Sequence, residues 1–146
     1  LVRSLAEYLR YSLETRNDER VPLGQEFDAV ASYLAVEKAR FREKLEVETE
    51  IDSDARNALV PGIVIQPLVE NAIKYGRKTS PPPLQIRMIV SKLGSNGVQI
   101  EVSNSGEWIE PDHADTVGGI GLKNLKERLN LLYPEPHSLQ ISAENG

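Results

Sequence analysis

Gln66-Pro67-Leu68-Val69-Glu70-Asn71-Ala72-Ile73-Lys74-Tyr75-Gly76 closes a run that is almost continuously apolar from Pro61 to Glu70. The pairs Leu68/Ala72 and Val69/Ile73 have the spacing of one helical face. Pro67 lacks an N–H and its ring collides with the preceding turn. The helix therefore either kinks at Pro67 or restarts with Pro67 in its first turn. Gly76 is expected to end it as a C-cap. Asn71 and Lys74 are three residues apart and share a face. An amide oxygen is a hard ligand suited to Mg²⁺, and a lysine ammonium suits a phosphate. By itself the pattern is first of all that of a buried helix with an ordinary polar edge.

Working outward, Leu45-Glu46-Val47-Glu48-Thr49-Glu50-Ile51 alternates with period two and reads as a half-buried strand. Asp52 to Asn57 is a turn or short link. Upstream, Pro22 and Gly24 precede a helix with the stripe Phe27, Val30, Leu34 and Phe41, flanked by Tyr33 and Val36. Asp28, Glu37, Lys38, Arg40 and Arg42 form its solvated face. Residues 1–16 carry another helical stripe, Val2, Leu5, Leu9 and Leu13, followed by the polar break Asn17-Asp18-Glu19-Arg20. Downstream, Arg77 to Pro83 reads as a proline-stiffened loop. Leu84–Leu93 and Val98–Val102 read as two strands joined by the hairpin signal Gly94-Ser95-Asn96-Gly97. Asn104 to Gly118 is a long irregular segment of the kind that usually serves function. Gly119 to Leu132 is a helix with Leu122, Leu125, Leu129 and Leu132 on one face, and Leu139 to Ser142 begins a last strand. The predicted class is α+β: a two-layer α/β sandwich with a mixed, mostly antiparallel sheet and its helices on one face.

Two further pieces carry candidate chemistry. In Val102-Ser103-Asn104-Ser105-Gly106 a strand ends in an amide that can bond an adenine edge, and Gly106 permits close backbone approach. The same residues also make an ordinary strand-ending turn. In Gly118-Gly119-Ile120-Gly121-Leu122-Lys123-Asn124 a glycine-rich stretch opens a helix, where free N–H groups and the dipole favour an anion. It is neither a Walker loop, lacking Gly-Lys-Ser/Thr, nor a dinucleotide fingerprint, lacking a βαβ context.

The 146 residues amount to one domain, 40% hydrophobic and 27% charged, with a net charge of −5. The acidic balance argues against a nucleic-acid partner, which phosphate contacts would favour only with a basic excess. Absence of cysteine removes disulfides, thiolate catalysis and Cys-ligated zinc. No stretch has the ~18 apolar residues of a membrane span. The opening residues do not read as a secretory leader, and the lack of an initiator Met reads as a piece of a longer protein. His113 and His137 read as loop residues, and Trp108 as an apolar anchor.

In this order and spacing the three pieces resemble the GHKL (Bergerat) ATPase superfamily. Val60-Pro61 with Gln66-Pro67-Leu68-Val69-Glu70-Asn71-Ala72 looks like the LytS-type sensor histidine kinases. So do Leu9-Arg10-Tyr11-Ser12-Leu13, Val21-Pro22-Leu23 and Tyr33-Leu34-x-x-Glu37-x-x-Arg40-Phe41. Gly119-Ile120-Gly121-Leu122-x-Asn124-x-x-Glu127-Arg128-Leu129 is similar to that family's second glycine box. The resemblance spans nearly the whole chain.

That resemblance implies an ATP-binding catalytic domain over 17–146. Residues 1–16 would be the C-terminal remnant of the dimerisation helix that carries the phosphoacceptor histidine. It implies the cofactors ATP and Mg²⁺, with Asn71 as metal ligand. Lys74 and Tyr75 would line the phosphate and ribose side, and Asn104 and Gly106 the adenine. Glu107–Gly118 would be a lid. Gly119, Gly121, Leu122 and Lys123 would hold phosphates, and Glu70 would have a minor part. The implied activity is transfer of the γ-phosphate to a histidine on a separate dimerisation domain. Implied partners are that domain, a response regulator and, in the full-length protein, a second copy. The implied setting is the cytoplasmic side of a sensor anchored through segments outside this chain. The chain departs from the family in having Asn104 where Asp is usual, in losing one glycine at Val117, in lacking the Pro-His acceptor motif and in a final strand expected to be cut short. Those departures leave open a nucleotide-binding regulatory module without catalysis. A purely structural dimerisation piece is a second rival. An anti-sigma-type serine kinase is a third, opposed by the Leu-Arg-Tyr-Ser-Leu helix.

Overall fold

A computed structural model of the chain describes residues 20–95 and 97–106, together with Ala6, Leu9 and Arg10, which are helical and exposed. The elements are β1 (Arg20–Pro22), α1 (Leu23–Phe41), β2 (Leu45–Ile51), β3 (Leu59–Pro61), α2 (Ile65–Thr79), β4 (Leu84–Leu93) and β5 (Gly97–Asn104). Short 3₁₀ turns at Arg42–Lys44 and Ser53–Ala55 lead into and out of β2. The rest of the first helical stripe, the polar break before Arg20, the lid, the second glycine box, the final helix and strand, Trp108, His113 and His137 lie outside the described residues.

β2, β4 and β5 form one sheet in the order β2-β4-β5, with β2 and β4 parallel and β4 and β5 antiparallel. Alternation along the strands assigns the two faces. Leu84, Ile86, Met88 and Val90 are buried on β4, while Gln85 and Arg87 are exposed. The register places Leu45, Val47 and Ile51 of β2 and Val98, Ile100 and Val102 of β5 on the same side. α1 packs over β2, and α2 over β4 and β5. The helices therefore cover one face, and the opposite face carries Glu46, Glu48, Glu50 and Glu101. The expected two-layer mixed sandwich is present. Its core joins Leu23, Phe27, Val30 and Leu34 of α1 with Ile65, Val69 and Ile73 of α2 and the inner face of the strands. Each such side chain contributes roughly 1.5–3 kcal/mol by leaving water.

Both helices begin without a side-chain cap on their own N-cap residue. The Leu23 and Gly24 N–H groups of α1 instead donate to Ala58 O at 2.8 Å and Arg56 O at 2.9 Å. These bonds lie beside β3, which pairs antiparallel with β1 in a separate two-stranded sheet. Neither three-residue strand was expected from the sequence, since three residues hold no periodicity. α2 receives its cap from α1: the Glu26 carboxylate accepts from Ile65 N at 3.0 Å and Ile63 N at 3.1 Å.

One open alternative in the sequence is settled, and one expectation needs correction. Pro67 sits at the third position of α2, so the helix restarts rather than kinks. Gly76 is not the C-cap: α2 continues through it to Thr79, and Ser80 N donates to Gly76 O at 2.8 Å. Its lack of a side chain serves packing, because a Cβ there would meet Leu84 Cδ1 at 2.5 Å and Asn104 Nδ2 at 3.2 Å. The expected loop accordingly starts at Ser80, not Arg77.

Candidate functional site

Five of the candidate residues lie among the described ones, and all five are on α2 or at the end of β5. Asn71 is half-buried, and its Oδ1 is fully shielded with no hydrogen-bond partner among the described residues. An acceptor left in that state costs about 1–3 kcal/mol, so it calls for a donor or a cation. Tyr75 follows one turn later. Two ammonium groups approach its ring, Lys74 Nζ at 5.4 Å and Lys78 Nζ at 5.7 Å from the centroid. That stacking keeps positive charge on the outer edge of α2.

Asn104 is the last residue of β5, directly opposite Ile86 in the ladder. Opposed residues point to one face, so Asn104 lies on the helix side of the sheet, in line with Val98, Ile100 and Val102. It meets α2 at Gly76, five residues beyond Asn71, or roughly 7.5 Å along the axis at the helical rise. Its Nδ2 donates to Ser105 O at 2.8 Å. Gly106 has φ +121, and a Cβ there would collide with Thr79 Oγ1 at the end of α2. The strand end is thus bound to the helix end by two glycines, one on each partner. Ser105 adds a clasp: its N–H donates to Gln85 O at 2.9 Å, and its hydroxyl lies 2.7 Å from Ser80 Oγ. Asn104 and Gly106 thus meet the last turns of α2 at Gly76 and Thr79, and Asn71, Lys74 and Tyr75 lie on that same helix. Gly119, Gly121, Leu122 and Lys123 lie outside the described residues.

On the other flank of α2, a groove of about 540 Å³ runs between the helices, lined by Tyr33, Glu37 and Arg40 of α1 and Glu70, Lys74 and Arg77 of α2, among others. Lys74 therefore borders both the groove and the Asn71 flank. Phe41 holds two guanidinium groups, Arg40 at 5.1 Å and Arg77 at 4.4 Å from its centroid. Burial pushes the Tyr33 phenol up to about 12, helped by the Glu37 and Glu70 carboxylates and opposed by Arg40. The sequence pattern placed Glu37 and Arg40 on a solvated face. They are partly that, but they also wall a groove that only the packing of α1 on α2 creates.

Sequence reasoning also missed Gln66 and Glu26. Gln66 donates from Nε2 to Glu70 Oε1 at 3.0 Å, leaving its own buried Oε1 unpartnered among the described residues. An amide inside an apolar run was a visible signal. Glu26 is 0% exposed, and nothing in its neighbourhood of sequence announces that.

The profile of the family described as Histidine kinase matches residues 1–45. Sensor histidine kinase YpdA of Escherichia coli is 37% identical over 92% of this chain and 25% of its own length. Sensor histidine kinase YesM of Bacillus subtilis is 35% identical over 99% of this chain and 25% of its own. Sensor protein LytS of Bacillus cereus is 32% identical over 99% of this chain and 26% of its own. The chain's homologues are sensor histidine kinases. It spans about a quarter of the length of these sensor kinases. Among solved structures, a nucleotide-free form of the catalytic domain of histidine kinase ThkA superposes with a TM-score of 0.52 at 16% identity, over 77% of this chain and 80% of that one. The fold is that of a histidine kinase catalytic domain. Among the described residues, no helix is long and apolar enough to cross a membrane, and no group of three or more His, Cys, Asp or Glu could hold a metal ion.

Proposed function

We propose that this chain binds Mg·ATP and presents the γ-phosphate to a histidine on a separate dimerisation domain, as the catalytic part of a two-component sensor kinase. The observation that carries the reading is the buried Asn71 Oδ1, without a partner among the described residues, on the helix that also contacts Asn104. A hard amide oxygen with no donor suits Mg²⁺, which demands oxygen ligands and accepts phosphate oxygens as the others. When bound, the ion supplies charge neutralisation on the phosphates. Lys74, at the edge of α2, donates to a phosphate oxygen. Tyr75 lines the ribose side. Asn104 bonds the adenine edge as donor or acceptor, replacing the acceptor-only carboxylate usual in the family. Gly119, Gly121, Leu122 and Lys123 complete the phosphate cradle through backbone N–H groups.

The reaction itself asks little covalent chemistry of the protein: an imidazole nitrogen bonds the γ-phosphorus, the bond to the β-bridging oxygen breaks, and ADP leaves. Residues 1–16 belong to the dimerisation helix, and 17–146 form the catalytic domain. The phosphoryl group then passes to a response regulator. The parent protein works as a homodimer with this part on the cytoplasmic side of a membrane-anchored sensor.

Titration with a fluorescent ATP analogue, with and without Mg²⁺, tests the reading. Wild type binds and is tightened by Mg²⁺, Asn71→Ala loses the Mg²⁺-dependent part, and a supplied acceptor-helix domain becomes phosphorylated. Absence of nucleotide binding by wild type removes the proposal. Binding without transfer leaves a regulatory nucleotide module, a reading favoured by Asn104, whose amide nitrogen is already bonded to Ser105 O.

A further inference from the structure

Glu26 lies on α1, yet its carboxylate serves α2. It is 0% exposed and accepts the N–H groups of Ile63 at 3.1 Å and Ile65 at 3.0 Å. The first N–H groups of a helix have no partner inside it, and they carry the positive end of its dipole. A negative group at that end is therefore held twice, by hydrogen bonds and by the dipole. The anchor also fixes an unusual backbone. Ile63 has φ +59, a left-handed conformation that a β-branched residue seldom adopts. Such strain persists only where neighbours over-determine it, and it gathers at functional sites. Here the Ile63 N–H is one of the two that Glu26 holds.

Six residues past Ile65, on the same helix, stands Asn71 with its shielded oxygen, unpartnered among the described residues. A helix is stiff along its axis, so the placement of its first turn sets the height and rotation of Asn71. We infer that Glu26 is a positioning residue for the metal ligand, acting through the start of α2 and touching neither nucleotide nor cation. The inference rests on the Mg·ATP reading above. A carboxylate is needed rather than any polar group, because two separate N–H donors must be accepted at once. Glutamine offers one accepting oxygen and a nitrogen that would face a donor.

The test is a double-mutant cycle on the whole chain, read as affinity for a fluorescent ATP analogue with and without Mg²⁺. Groups that orient a metal ligand usually cost about tenfold or more in metal-linked affinity when removed. Glu26→Gln is expected to weaken Mg²⁺-dependent binding about tenfold and to change Mg²⁺-free binding by less than about twofold. In an Asn71→Ala background the same substitution should add less than about twofold, because the ligand it positions is gone. A general loss of stability would weaken both conditions alike and add in the double mutant; that pattern overturns the inference, as does unchanged binding by a folded Glu26→Gln. If Glu26→Gln does not fold, Glu26→Asp replaces it, keeping the charge while drawing the carboxylate back by one methylene, and must show the same pattern. Failure of wild type to bind Mg·nucleotide sinks the functional reading instead, a result distinct from either.

Discussion

Replacing Gly76 with alanine sets two effects of known size against each other. In a helix interior the change gains about 1 kcal/mol of intrinsic propensity. Against that, the new Cβ would stand 2.5 Å from Leu84 Cδ1. Leu84 is itself only 6% exposed, so its side chain has little room to retreat. Overpacking of this kind costs about 1–3 kcal/mol. The net change is a loss of between nothing and about 2 kcal/mol, or a fall of up to about 6 °C in Tm at this chain length. The second consequence is local. The Cβ would also lie 3.2 Å from Asn104 Nδ2 and 3.4 Å from Asn104 Cβ, which pushes the proposed adenine contact outward. Loss of one net hydrogen bond, about 1 kcal/mol, weakens nucleotide binding about fivefold. Thermal unfolding and titration with a fluorescent ATP analogue read the two effects separately, and in an Asn104→Ala background the binding loss should vanish. A Gly76→Ala protein whose Tm rises by about 3 °C, with affinity intact, would show that Gly76 is an ordinary weak spot in a helix and refute the packing argument.

Asn71→Leu, which replaces an amide whose oxygen has no partner among the described residues by an apolar group of similar shape, should leave the nucleotide-free protein as stable as wild type or more so, while abolishing the stabilisation expected from the proposed Mg·ATP; thermal unfolding with and without ligand measures both. Met88→Ala, at a position with 0% exposure in the centre of β4, should cost about 2–5 kcal/mol in urea unfolding. Tyr33, pushed up to about 12 chiefly by burial, keeps its proton when folded at a pH where the unfolded chain has lost it. Its contribution is therefore whole below pH 10 and disappears as pH rises toward 12, so Tyr33→Phe should flatten the decline of stability across that window.

The parts of the fold that were legible in the sequence are those in which a residue's environment follows from its own neighbours. Alternation in Leu45–Ile51 marked β2, and the hairpin signal after Leu93 marked β4 and β5 as neighbouring strands. The stripe Phe27, Val30, Leu34 likewise marked the core face of α1. Pro67 limited the helix to a kink or a start because its constraint is local, and the start is what forms. What stayed illegible depends on distant chain. β1 and β3 pair Val21 with Val60, about forty positions apart, and carry no period. Gly76 looked like a terminator because the atoms that need its space belong to Leu84 and Asn104. Glu26 looked like any charged helix residue because its partners are backbone N–H groups of Ile63 and Ile65. In the site, Asn71 and Asn104 stood out by residue type, whereas the groove beside Lys74 exists only once α1 lies on α2.

α2 is held differently at its two ends, and this asymmetry governs how the site responds to change. At its start the grip is electrostatic: one buried carboxylate on two N–H groups. At its end the grip is steric: Gly76 against Leu84 and Asn104, and Gly106 against Thr79. Hydrogen bonds to a charge fix direction and distance closely. Close packing instead resists approach but allows slight withdrawal. A perturbation at the start should thus rotate or slide the whole helix, moving Asn71 and Lys74 together. A perturbation at the end should open the seam with β5 and displace Asn104 alone. On the proposed function, metal-linked and adenine-linked affinity therefore separate along the length of one helix, and substitutions can be sorted by which of the two they alter.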